Sequence, residues 1–140
     1  MADRLEWEAL LTSVAHELPQ PVEQETTRDG SVVLVGGDPG EVIVRLTRSA
    51  ASVSEYAVEW RGPGDLVVRP VGFGTIRWRR MPEIHALAAL QTLVRAARES
   101  RRAKYQMCGY CEKMTPPEAL HDDQVCQACA RKHLGITESG

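Results

Sequence analysis

All four cysteines of this 140-residue chain fall in one C-terminal stretch, Cys108-Gly109-Tyr110-Cys111 and, after fourteen intervening residues, Cys126-Gln127-Ala128-Cys129. Two residues between cysteines let the backbone turn tightly enough for both sulfurs to point at one ion, and two such turns complete a tetrahedron. Zinc takes four thiolates at about 2.3 Å, and four protein ligands leave no open position for a substrate water. The spacing therefore predicts one structural zinc ion held by Cys108, Cys111, Cys126 and Cys129. Three other chemistries compete for such cysteines. A thioredoxin-like redox pair needs a βαβ setting that neither pair has, a disulfide scaffold needs an oxidising compartment, and an iron–sulfur cluster also uses four thiolates. His121 and His133 lie close by in sequence and read as surface residues rather than replacement ligands.

After the second pair, Ala130-Arg131-Lys132-His133-Leu134 and Gly135 read as a short helix closed by a left-handed glycine. Cys126 and Cys129 then open that helix, where backbone N–H groups favour thiolates, and Arg131 and Lys132 offset part of the negative charge of a zinc tetrathiolate. A knuckle, a segment broken at Thr115-Pro116-Pro117, and a ligand pair opening a helix resemble a treble-clef or zinc-ribbon finger over residues 105–137. Fingers of that kind bind DNA, RNA, RNA polymerase or other proteins, so the resemblance implies zinc and not one particular role. The stretch is also loosely similar to the fingers of DksA-type transcription regulators. Those follow a long coiled-coil hairpin, which this chain lacks, so their role is not carried over.

Ahead of the cysteines, the chain has room for one compact domain of about a hundred residues. With 43% hydrophobic and 26% charged residues it has an ordinary globular composition. The expected division is an α+β domain over 1–104 and the finger with a short tail over 105–140. The first residues show no basic segment leading into an apolar run, and no stretch approaches the roughly twenty apolar residues of a membrane span. A cytoplasmic protein with no membrane partner is expected.

Residues 3–18 place Trp7, Leu10, Leu11, Val14 and Leu18 on one helical face. Residues 19–30 are polar, acidic and aperiodic, and read as a connection. Alternating apolar positions then predict strands at 31–35, 41–47, 53–60, 66–69 and 72–79, separated by glycine- and proline-rich turns. A second helix over 82–104 carries the stripe Ile84, Leu87, Leu90, Leu93, Val94 and Ala97. The predicted fold class is α+β, an antiparallel meander of about five strands flanked by an N-terminal and a C-terminal helix that cover one face. Its core should draw on Trp7, Leu10, Leu11, Val14, Tyr56, Val58, Trp78, Ile84, Leu87 and Val94.

Charge is unevenly spread. Residues 1–30 hold two basic and seven acidic side chains, whereas residues 76–104 hold eight basic and two acidic. Arg98, Arg101, Arg102 and Lys104 cluster at the end of the second helix, where they complement the helix dipole, neutralise the acidic first helix, or meet an anionic partner.

No pattern of nucleophile and base is present, the thiols are committed to metal, and Asp122-Asp123 beside His121 reads as a solvated turn. Neither glycine-rich turn has the context of a phosphate loop. A non-enzymatic function is expected. The first reading is a protein-interaction or regulatory module acting as an adaptor, a chaperone or an immunity-type inhibitor of a partner protein. The alternative is a zinc-finger regulator that contacts nucleic acid, or the transcription or translation machinery, through the arginine-rich segment 77–104. The finger has five acidic and three basic residues, making it a poor phosphate ligand, which favours the protein partner.

Overall fold

The computed structural model describes residues 5–122 and 125–134. Helix α1 (Trp7–Glu17) leads into β1 (Val22–Thr26), β2 (Val32–Gly36), β3 (Val42–Leu46) and β4 (Ala51–Glu55). Next come β5 (Val58–Gly62), β6 (Asp65–Val68) and β7 (Val71–Ile76), a 3-10 turn (Trp78–Arg80) and the long helix α2 (Glu83–Arg102). One antiparallel sheet runs in the order β1-β2-β3-β4-β7, and β5 and β6 pair separately with each other. Because Arg69 N–H donates to Ala57 O, β4–β5 and β6–β7 are the two legs of one long hairpin whose outer half projects beyond the sheet as an arm.

The fold class is α+β as expected, with both helices on one face. Alternation explains why: in β2, β3 and β4 every second residue is buried, including Val32, Leu34, Val42, Val44, Leu46, Ala51 and Val53. These meet Leu10, Val14 and Leu18 from the first helix region and Ala86, Leu90, Val94 and Ala97 from α2 in a single core. Trp78 is fully buried there, its indole N–H donating to Thr47 O at 3.0 Å.

Four details depart from expectation. Residues 19–30 are no mere connection, because Val22–Thr26 forms the edge strand β1, in register with β2 from Val22↔Gly36 to Thr26↔Val32. The β1–β2 turn is tied by Asp29, which accepts from the Ser31 N–H at 3.0 Å and from the Thr27 hydroxyl and pairs with Arg45 at 3.0 Å. The Thr27 hydrogen bond, then that of Ser31, holds the Asp29 carboxyl well below the usual carboxylate range. Second, the final strand stops at Ile76 rather than reaching 79, since the chain must curl into the 3-10 turn to drop Trp78 into the core. Third, Ile84 is 79% exposed, whereas Leu90, Val94 and Ala97 of the predicted stripe are buried, Leu87 and Leu93 pack against the core, and the buried line also takes in Ala86 and Arg101. Last, Tyr56 and Val58 sit outside the core, on the bend into the arm.

Candidate metal centre

The sequence after α2 folds as short pieces around the cysteines. Strand β8 (Gln106–Met107) pairs with β9 (Met114–Thr115), and between them the chain turns through Cys108 and Cys111. The turn is closed by Cys108 N–H to Lys113 O at 3.0 Å and Glu112 N–H to Cys108 O at 2.9 Å. Glu112 takes φ 60°, a left-handed conformation that side chains with a Cβ disfavour. A 3-10 turn (Pro117–Ala119) then leads to β10 (Leu120–Asp122), which pairs with β11 (Val125–Cys126), and α3 (Gln127–Leu134) follows at once. Cys126 thus ends a strand and Cys129 lies in the first turn of α3.

The four sulfurs lie within 4.8 Å of one another, and Cys111 Sγ is 3.9 Å from Cys126 Sγ. A tetrahedron of sulfurs around an ion at about 2.3 Å has edges of about 3.8 Å, so the donor set fits a tetrahedral metal ion. All four cysteines are free thiols. Backbone amides point at the sulfurs: Cys126 N–H approaches Cys108 Sγ at 3.4 Å, and Cys129 N–H approaches Cys126 Sγ at 3.4 Å. Hydrogen bonds from the Cys111 and Cys126 backbones bring the Cys108 thiol down to about 6, while burial pushes Cys129 up to about 12. The local apolar core is small, with Val125 and Ala130 joining buried Cys108 and Cys129. So small an apolar core gives little support to a unit of this size, and a metal ion on the four sulfurs would supply what it lacks. Arg131 and Lys132 are exposed on α3. The side chains of His121, Asp122 and His133, and Asp123 and Gly135 as a whole, lie outside the described residues.

The predicted basic cluster is in place at the end of α2, and each member meets a carboxylate of the chain itself. Arg98 Nε and Arg102 Nε both lie 3.2 Å from Glu41 Oε1, and Lys104 Nζ lies 2.7 Å from Glu55 Oε2. Glu55 is 1% exposed and also accepts from the Ser100 hydroxyl at 2.6 Å. Arg101, 2% exposed, donates to Gly40 O at 3.0 Å and grips Glu118 with both terminal nitrogens at 2.9 and 2.5 Å. Its guanidinium lies 5.3 Å from the Tyr56 ring centre and 5.2 Å from that of Tyr105. Burial works against its charge, and Glu118 more than restores it. The counter-charges are therefore Glu41, Glu55 and Glu118, not the acidic first helix. Glu118 belongs to the turn between the two cysteine pairs, so the ion pair docks the cysteine module onto α2. The arm adds a second hold, β5 lying against the Pro117–Ala119 turn.

The residues that sequence reasoning missed are these acids. Nothing local marks Glu118 or Glu55 as partners; Arg101 alone could have been found, by extending the true helical line by four residues from Ala97. No helix among the described residues is long and apolar enough to cross a membrane. Compared with protein-family models, with curated proteins and with solved structures, the chain finds no match in any of the three.

Proposed function

We propose that the chain is a non-enzymatic protein-interaction module whose C-terminal part is a treble-clef-like finger built on one structural zinc ion. The observation that carries this reading is the four-thiolate cluster docked on α2 by a buried ion pair. An ion held by four protein sulfurs has no free position for chemistry, so its work is to fix a surface. An all-thiolate, tetrahedral donor set favours zinc, with an iron–sulfur centre as the competing occupant. The order of knuckle, hairpin and ligand-bearing helix supports the treble-clef assignment.

A protein partner is favoured over nucleic acid by what is exposed. The arm presents the cross-strand pairs Val58–Val68 and Trp60–Leu66, with Trp60, Leu66 and Val68 exposed, and the module adds Met107, Tyr110 and Met114. Exposed apolar groups gathered in this way mark association surfaces. The basic cluster at 98–104, the chief support for a nucleic-acid partner, is already matched by the chain's own carboxylates.

Metal analysis of protein purified without chelator should return one zinc per chain, lowered by Cys108→Ser or Cys126→Ser. Cross-linking in the native cell should place a partner protein on the arm or the module. Full zinc content in single mutants of all four cysteines would defeat the metal assignment, and cross-links to nucleic acid alone would defeat the partner class.

A further inference from the structure

The two edges of the main sheet are built differently. Strand β1 carries Glu23 and Glu25, charges that discourage another strand from pairing there. Strand β7, at the other edge, reads Val71-Gly72-Phe73-Gly74-Thr75-Ile76, with no charge and no proline. Its pairing with β4 slips at Phe73, so the regular open stretch is residues 74–76. Beside that stretch, an open groove of about 430 Å³ runs between β7 and α2, lined by Gly74, Thr75, Ile76, Ala88, Ala89, Thr92 and Leu93. Small side chains on the helix make the room. Ala88 and Thr92 are exposed on its wall, and Gly74 has no side chain because Leu93 lies 2.9 Å from where a Cβ would stand.

The groove is flanked by positive charge. Arg77 directly follows the strand, Arg80 lies in the turn after it, and Arg95 is one turn beyond Thr92 on α2; all three are exposed. Unlike the cluster at 98–104, none of the three forms an ion pair among the described residues. Glu99 lies on the same side of α2, about two turns past Thr92 and beyond the groove.

From this juxtaposition we infer that the β7 edge is a strand-addition site for an extended, acidic peptide segment of a partner protein. Main-chain hydrogen bonds to residues 74–76 supply the pairing, alternate apolar side chains enter the groove, and carboxylates meet Arg77, Arg80 and Arg95. Charge separates this occupant from a second copy of the chain. Neither β7 nor the helical wall offers a carboxylate, so two copies edge to edge leave their arginines unmatched. A nucleic acid would use the arginines and ignore the apolar groove.

This inference rests on the protein-interaction reading and names one surface and one partner chemistry for it. The test uses the zinc-loaded full chain and a phage-displayed library of random peptides about as long as β7. Selected peptides should alternate apolar residues and carry aspartate or glutamate. Their binding should fall about tenfold on Ala88→Trp, which fills the groove from an exposed position, and on Arg77→Glu with Arg95→Glu. Methylating alternate backbone amides of the peptide should abolish binding, and Gln24→Ser, exposed on the opposite edge strand β1, should leave it unchanged. Thr92→Trp repeats the groove test should Ala88→Trp fail to fold. The proposal is overturned by a library without enrichment, by selected peptides indifferent to both tryptophan variants, by an oligothymidine that displaces them and is itself indifferent to Ala88→Trp, or by a dimer that Ala88→Trp dissociates. A partner cross-linked to the arm in the cell, with no peptide on β7, would sink this site while leaving the protein-interaction reading standing.

Discussion

Glu112 follows the second ligand of the first pair directly, at φ 60°. A left-handed residue with a Cβ costs about 1–2 kcal/mol, and glycine removes that cost while loosening the unfolded chain. Glu112→Gly should therefore tighten metal binding by up to about tenfold, read by competition with a chromophoric chelator. Weaker binding would show that the glutamate side chain has a part in the site. Arg101 poses the opposite problem, a cation in the interior held by one carboxylate. Glu118→Ala leaves it unpaired and should lower stability by about 3–5 kcal/mol in urea unfolding, whereas Arg101→Met with Glu118→Leu should lie much nearer to wild type. The cysteine cluster was legible because its signal is local, a fixed spacing of one residue type. The inward setting of Arg101 was missed, because a count of charges does not distinguish an arginine that faces solvent from one that faces a glutamate many residues away in sequence.

The elements show the same division between local and distant causes. The strands β2, β3 and β4 were legible from alternation, since one face of each is buried. The edge strand β1 was missed because all but its first residue are exposed, and an exposed strand has no apolar period to read. Its signal was the Asp29-Gly30 turn, with Gly30 at φ +86° and its N–H on Thr27 O. In α2 the period and most of the stripe were read correctly, with Leu90, Val94 and Ala97 buried and Leu87 and Leu93 packed against the core; Ile84 was misplaced because it is as apolar as the residues that do reach the sheet. That placement is testable. Leu90→Ala should cost about 2–5 kcal/mol, while Ile84→Ala should change stability by less than about 0.5 kcal/mol, both read by thermal or urea unfolding. Equal losses at the two positions would mean that α2 is rotated from the arrangement described here.

At the scale of the whole molecule, the cysteine module is held by the end of α2 on one side and by the arm on the other. Composition and spacing alone suggest that stripping the metal should melt the C-terminal part and leave the rest untouched. The joint predicts otherwise: when the module unfolds, Arg101 loses Glu118, and the end of α2 loses the contact that ties it to the module. Chelation should therefore lower the melting temperature of the sheet and helices as well, seen in the near-UV signal of Trp78. In the Arg101→Met, Glu118→Leu chain the same chelation should leave that transition nearly in place. The order in which a ribosome delivers the chain adds a last consequence. Helix α2 is made before Glu118, so a nascent sheet-and-helix unit waits with an uncompensated guanidinium at its rim. It gains its full resistance to unfolding only after the turn carrying Glu118 has emerged, which makes residues 98–118 the stretch where a translational pause would expose the chain most to proteases and chaperones.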